Sequence, residues 1–145
     1  RAGRAEAPGV ALLQTFQPEH PVIRAILSGD EEGFWRAEAA EREATGMPPY
    51  GRLAGVIISA DDAAAAFDLG TALARNDTAL RDVGAMVYGP APAPIARVRG
   101  RHRVRLLVKA PKGVALQPAI ARWIAPVKLS AKLRLAVDID PQSFY

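Results

Sequence analysis

Five arginines occupy every second position of one short segment: Arg97, Arg99, Arg101, Arg103 and Arg105. Guanidinium groups bind phosphate through charge and paired hydrogen bonds. Side chains of a β-strand alternate between its faces, so an extended segment would place all five on one face and the intervening, mostly apolar residues on the other. The spacing therefore predicts a cationic surface that binds a polyanion, with His102 and Lys109 as further contacts. Alternatively, Gly100 marks a bulge or tight turn that divides the row.

The charge distribution favours the same interpretation. Residues 83–137 contain eleven Lys and Arg and no Asp or Glu, whereas residues 1–82 contain eight basic and thirteen acidic residues, a net charge of −5. Displacement of counterions makes phosphate binding favourable at such a cationic block. A solvated basic face without a partner is the alternative.

The sequence offers few residues for metal binding, acid–base catalysis or membrane insertion. The 145-residue chain has no cysteine and only two histidines, so we expect no metal site. Asp138 and Asp140 share a strand face without a nearby His, and we expect pairing with basic neighbours rather than acid–base catalysis. No apolar run approaches the roughly 20 residues of a membrane span, so no membrane partner is expected. The chain starts at Arg1, within a charged, glycine-containing loop sequence, which predicts that it is a piece of a longer protein.

The first 46 residues predict a small helical region. The apolar run Val10–Phe16 reads as a short strand and residues 18–27 as a helix. Ser28 and Glu31 have capping-box spacing for a second helix through about Ala44, which Gly46 and the following prolines end. Residues 47–51 predict a domain boundary, which gives domains at 1–46 and 47–145.

After this boundary the order of elements is strand, helix, strand, strand, helix, strand. This order is typical of a ferredoxin-like βαββαβ domain, an α+β fold with a four-stranded antiparallel sheet, two helices and one free sheet face. A proline-alternating stretch, residues 89–94, is predicted as an extended loop. The predicted strands and helices are 53–59, 61–75, 83–88, 95–108 (a strand or a hairpin), 114–125 and 133–139.

Several segments, in this order, resemble the C-terminal part of the PriA (primosomal protein N′) family of superfamily 2 replication-restart helicases. The first, RAGR at residues 1–4, is similar to the end of the Gly-Arg-x-Gly-Arg helicase motif. The others are QPEHPVIRAILSGD, FWRAEAAEREATGMPPYGRLA, GPAPAPIARVRGRHRVRLLVKAPKG and VDIDPQSF.

The resemblance implies a bacterial, cytoplasmic, nucleoid-associated protein that hydrolyses ATP and unwinds DNA 3′–5′ during replication restart and primosome assembly. Arg1 and Arg4 would face the ATP γ-phosphate from the second RecA-like helicase lobe, of which residues 1–46 would be the end. ATP, magnesium and zinc would bind mostly or wholly in the rest of the longer protein, so this chain alone should not hydrolyse ATP.

For residues 47–145 the resemblance implies binding of forked or single-stranded DNA and of other primosome proteins. Lys112 and Gln117 would contact the acidic tail of single-stranded-DNA-binding protein, although glycine stands at Gly113, where the family can hold arginine. Two alternatives stay open: an adaptor for that acidic tail with no direct role in DNA binding, and an RNA-binding module of ribosomal type.

Overall fold

The computed structural model describes residues 9–141. The chain divides between Ala40 and Glu41 into two compact units. The division lies six residues before the boundary predicted at 46/47, which stays a prediction, as does the assignment of the first region to a helicase lobe.

The first unit contains one whole helix and the first ten residues of another, whose last five residues belong to the second unit. α1 (Pro21–Ser28) begins after His20, whose Nδ1 accepts the Val22 N–H at 3.3 Å. α2 (Glu31–Thr45) begins on the Asp30 carboxylate, which accepts the Gly33 N–H at 2.9 Å. The predicted cap Ser28 instead accepts the Asp30 N–H. The capping-box prediction was therefore wrong by two residues, because an aspartate beside the serine supplies a better-placed acceptor.

The strand predicted at Val10–Phe16 is absent: this segment has no regular secondary structure. A strand needs a neighbour to satisfy its backbone donors and acceptors. The four strands of the described chain pair only with one another, and Val10 is 87% and Leu12 96% exposed. An apolar run alone was insufficient to form a strand here.

The second unit is a four-stranded sheet with helices, and it confirms the predicted α+β, ferredoxin-like fold. Its elements are β1 (Gly51–Ala60), α3 (Ala63–Arg75), α4 (Thr78–Arg81), β2 (Met86–Val98), β3 (Arg101–Pro111), α5 (Leu116–Ile124) and β4 (Leu133–Ile139). The strands lie in the order β2-β3-β1-β4, and every neighbouring pair is antiparallel. The short α4 lies between the elements predicted at 61–75 and 83–88 and adds a third helix to the two that were predicted.

One face of this sheet packs against the helices. Alternate residues of β3, such as Val104 and Leu106, are buried with alternate residues of β1 and with α3 and α5. Trp123 joins this core and donates its indole N–H to the Leu73 carbonyl at 3.0 Å. The period of two along the strands therefore sorts the even-numbered positions of β3 to the helix side and the odd-numbered positions to the helix-free face.

The proline-alternating stretch belongs to β2, which corrects the prediction of a loop. β2 is an edge strand, so only one of its sides must supply backbone donors, and prolines are tolerated there. Pairing with β3 is nevertheless interrupted, with register shifts between Tyr88 and Ala91 and between Pro92 and Arg97. The prolines loosened the strand without ending it.

Candidate functional site

The arginine row is divided by a tight hairpin turn. β2 and β3 are joined by Arg99 and Gly100, with φ of 48° and 81°, and Val98 pairs with Arg101 across the turn. Two successive positive φ values are those of the two-residue turn that fits the twist of a β-hairpin, and glycine adopts the second without a steric penalty. The alternative interpretation of Gly100 as a turn is confirmed.

This turn sends the arginines to different faces, so the expectation of one row of five was wrong. Arg97 pairs with His102, and directly opposed residues share a sheet face. Arg97 and His102 therefore lie on the helix side, whereas Arg101, Arg103 and Arg105 lie on the helix-free face. Immediately across this two-residue turn, odd-numbered residues of β2 pair with even-numbered residues of β3, so the arginines before and after the turn face opposite ways. The alternation of arginines in the sequence does not show where the chain turns.

On the helix-free face a fourth arginine joins the row. Ser59 of β1 pairs with Arg103 on one side and with Arg134 of β4 on the other. Ile57 is flanked in the same way by Arg105 and Ala136. We call Arg103, Arg105 and Arg134 the cationic face. Arg134 was missed as a site residue, although its place in the alternating segment 133–139 was a signal that it lies on a solvated face.

Next to the cationic face the sheet has a shallow depression, bordered by an apolar residue on one side and an acidic residue on the other. Gly55 lies between Leu107 and Asp138, and no atom lies within 4 Å of the position that a Cβ there would take. Tyr88 pairs with Leu107 and is 47% exposed. The missing side chain and the adjacent aromatic ring give this face a flat surface beside its positive charge.

Arg101 has internal contacts instead of a free guanidinium group. Its Nη1 donates to Asp61 Oδ1 at 2.7 Å, and its Nη2 donates to the carbonyls of Ser59 and Lys132. Its side chain is 21% exposed, and its Nε is buried without a hydrogen-bond partner. The group ties the start of β3 to the end of β1 and to the segment before β4, and the role in DNA binding predicted for Arg101 stays a prediction.

Lys109 lies at the other end of the same face, where the C-terminal end of α2 reaches the sheet and the face is no longer free of helix contacts. Its ammonium group donates to the carbonyl of Thr45, the last residue of α2. A cation at a helix C-terminus is stabilised by the unpaired carbonyls there. This contact offers Lys109 a structural role beside the predicted one.

The remaining predicted site residues lie elsewhere. Lys112 and Gln117 are both exposed, the first in the turn that ends at Gly113 (φ 87°) and the second in the first turn of α5. Arg1 and Arg4 lie outside the described residues.

Asp140 forms the ion pair that was expected of it. Its carboxylate accepts from Arg52 Nη2 at 2.7 Å and from the Leu53 N–H at 3.1 Å. The Arg52 hydrogen bond, opposed by partial burial, lowers the pKa of Asp140 below its ordinary value. The contacts hold the end of β4 against β1. Within residues 9–141 no three His, Asp or Glu side chains cluster as metal ligands would, and no helix is long and apolar enough to cross a membrane.

Comparison with known proteins identifies the family to which this chain is similar. Residues 43–142 match the family described as Primosomal protein N C-terminal domain. The whole chain is 31% identical over 145 residues to the replication restart protein PriA of Rickettsia felis, and 97% of it is 33% identical to that of Treponema pallidum. The PriA of Synechocystis is 34% identical over 155 residues. The chain spans about a fifth of these relatives, 22%, 22% and 17% of their lengths. The chain thus belongs to the primosomal protein N C-terminal domain family.

Proposed function

We propose that the cationic face binds the phosphate backbone of single-stranded or forked DNA, as part of a protein that restarts replication. The observation that carries the proposal is the convergence of Arg103, Arg105 and Arg134 from β3 and β4 around Ser59 and Ile57 of β1. Alternate residues of a strand lie about 7 Å apart, and strands on either side of a third about 10 Å apart. The three guanidinium groups therefore form a broad triangle on the helix-free face.

The depression beside the triangle supports binding of unpaired bases. Unpaired bases stack on aromatic side chains with little regard to sequence. Tyr88 and the open floor over Gly55 lie on the two strands that flank Leu107, and Arg105 is the next residue of β3 on the same face. If the phosphate backbone of the DNA lies on the arginines and its bases lie over the depression, the affinity would depend on charge and not on the base sequence.

The activity of the longer protein is part of the same proposal. The relatives named replication restart protein PriA, together with the motif at residues 1–4, support a bacterial, cytoplasmic, nucleoid-associated helicase that hydrolyses ATP and acts 3′–5′. Arg1 and Arg4 would contribute the positive charge that a transferring γ-phosphoryl group needs. The described residues do not themselves fit ATP and magnesium, because they contain no glycine-rich phosphate loop, and a chain without cysteine does not fit the zinc.

A salt titration tests the binding. The affinity of the chain for a fluorescein-labelled single-stranded oligonucleotide and a labelled fork is measured by anisotropy between low and moderate salt. Each phosphate contact to a single strand contributes about 0.7 to the log–log slope, so replacing Arg103, Arg105 and Arg134 together by Ala should lower the slope by about 2. Arg75→Ala, an exposed arginine at the end of α3, is the single-substitution control for Arg103→Ala.

An unchanged slope in the triple variant would refute the proposal. Tighter binding to an RNA of the same sequence would favour the ribosomal-type alternative, since only contacts to the 2′-hydroxyl distinguish the two at a given site.

A second candidate is docking of the acidic tail of single-stranded-DNA-binding protein at the start of α5, with further primosome proteins as partners. The exposed Lys112 and Gln117 beside a helix N-terminus support it, because that end of a helix favours negative charge. Titration with the tail peptide tests it. Loss of peptide binding in Lys112→Ala with DNA binding intact would establish separate sites, whereas loss of both would indicate one shared anion surface.

A further inference from the structure

A groove of about 640 Å³ lies in the helix layer, on the side of the sheet away from the cationic face. It runs between the second half of α3, the start of α4 and the end of α5. Its lining includes four apolar and two basic residues: Leu69, Ala72, Trp123, Val127, Arg122 and Lys128.

The floor of the groove is apolar and fixed in place. Trp123 is 3% exposed, and its indole N–H is already bonded to the Leu73 carbonyl at 3.0 Å, which holds the ring at one angle. Leu69 and Val127 line the groove beside it and are half-buried. Because Trp123 is already almost fully buried, an aromatic or large aliphatic side chain placed there would gain from its own burial and from covering Leu69 and Val127, about 25 cal/mol for each Å² of apolar surface.

The charged residues that line the groove are both positive. Arg122 and Lys128 are exposed, and no Asp or Glu is among the lining residues. Two acidic residues adjoin lining residues in the chain: Asp77, which forms an ion pair with Arg81 at 2.7 Å, and the exposed Asp68, next to Leu69. Arg122 and Lys128 can therefore pair with carboxylates of an incoming chain at their end of the groove.

The dimensions fit a short peptide. The wall from Leu69 to Asn76 spans seven residues of helix, about 10 Å at the α-helical rise. An extended peptide rises about 3.3 Å per residue, so this length accommodates about three residues.

We propose that this groove binds a peptide segment of a partner protein in which acidic residues flank a large aromatic or aliphatic side chain. The apolar side chain occupies the floor over Trp123, and the carboxylates pair with Arg122 and Lys128. Gln117 lies in the first turn of α5 and Trp123 in the last, about 9 Å apart along the helix axis, which separates this groove from the anion site suggested at Lys112.

The test uses the 145-residue chain and the labelled peptide acetyl-DELFDE-amide. Binding is measured by anisotropy and, in a ¹⁵N-labelled sample, by the shift of the Trp123 indole N–H signal. The chain contains only two tryptophans, so Trp35 serves as the internal reference. A peptide with Gly-Ser in place of Leu-Phe removes the apolar contact, and a peptide with Lys in place of each acidic residue removes the charge match.

We expect the Trp123 signal to shift and the Trp35 signal to stay. Arg122→Glu with Lys128→Glu should weaken binding by about tenfold, because two exposed ion pairs are replaced by repulsion. Ala72→Glu, an exposed lining position in α3, should weaken it in the same direction. The matched double reversal Arg24→Glu with Arg36→Glu, at two exposed arginines of α1 and α2 that belong to no proposed site, changes the net charge equally and should alter binding less than about twofold.

Three results would overturn the proposal. The first is equal loss of binding in the two double variants, which would mean that the peptide responds only to the net charge of the chain. The second is equal affinity for the peptide without Leu-Phe. The third is a shift of the Trp123 signal on addition of single-stranded DNA and not of the peptide, which would assign the groove to nucleic acid.

Discussion

Arg101 offers a sharp test because its predicted role and its contacts differ. The alternating row predicts a phosphate contact, whereas the guanidinium group bonds to Asp61, Ser59 and Lys132. Replacing Arg101 by Ala should therefore destabilise the sheet and leave the salt dependence of DNA binding almost unchanged.

The contacts set the size of the effect. Each hydrogen bond from a charged donor contributes about 1.5–3 kcal/mol when well desolvated. The pair with Asp61, whose side chain is 64% exposed, adds only about 0.2–1 kcal/mol. Removing the buried Nε, which has no acceptor, recovers about 1–3 kcal/mol. The free energy of unfolding should therefore fall by about 2 kcal/mol for Arg101→Ala. It should fall by about half as much for Arg101→Lys, which keeps the charge but lacks the paired N–H donors of the guanidinium group.

Urea denaturation followed by circular dichroism measures this loss. With a slope of about 1–1.5 kcal/mol per molar urea for a domain of this size, the midpoint should fall by about 1.3–2 M. Arg103→Ala is the matched control, since a surface substitution usually changes stability by less than about 0.5 kcal/mol. It should instead lower the salt slope by about 0.7. An Arg101→Ala protein that kept its midpoint and lost salt slope would refute the structural role.

Two further predictions concern packing and charge. Asp140→Asn should lower the free energy of unfolding by about 0.5–1 kcal/mol at neutral pH. Because the folded-state pKa of Asp140 is lowered, this contribution is present above about pH 4 and is lost as the pH falls through that lowered value. A stability difference between the two proteins that persisted in acid would count against the ion pair. Gly70→Ala should cost about 1–3 kcal/mol in thermal unfolding, since the new methyl carbon would lie 2.8 Å from Pro90 Cβ. Gly55→Ala, with no atom within 4 Å of the added carbon, is the control, and equal melting temperatures for the two variants would show that Pro90 yields freely.

Much of the fold could be predicted because its periodicity is strict. β4 has the predicted bounds, Leu133–Ile139, because large apolar residues alternate there with Arg134, Ala136 and Asp138. The N-caps are less predictable from residue type. Ser59 and Asp62 both precede α3 and are equally good candidates by type, and it is Asp62 that accepts the Ala64 N–H.

The candidate site depended on information that a linear pattern does not contain. The division of the arginine row follows from the register across Arg99 and Gly100, which reverses the face of each alternate residue. The role of Arg101 depends on carbonyls that lie 42 and 31 residues away in the chain, at Ser59 and Lys132. Such partners become visible only when the sheet order is known.

The prolines of β2 have a consequence for how this sheet behaves among other chains. An exposed edge strand offers unpaired backbone groups on which a second chain can add a strand. Pro90, Pro92 and Pro94 remove three amide donors from this edge. At the opposite edge, β4 carries the charged side chains of Arg134 and Asp138. Both borders thus discourage intermolecular β-pairing, so the sheet can expose its broad helix-free face without recruiting further copies into a growing fibril.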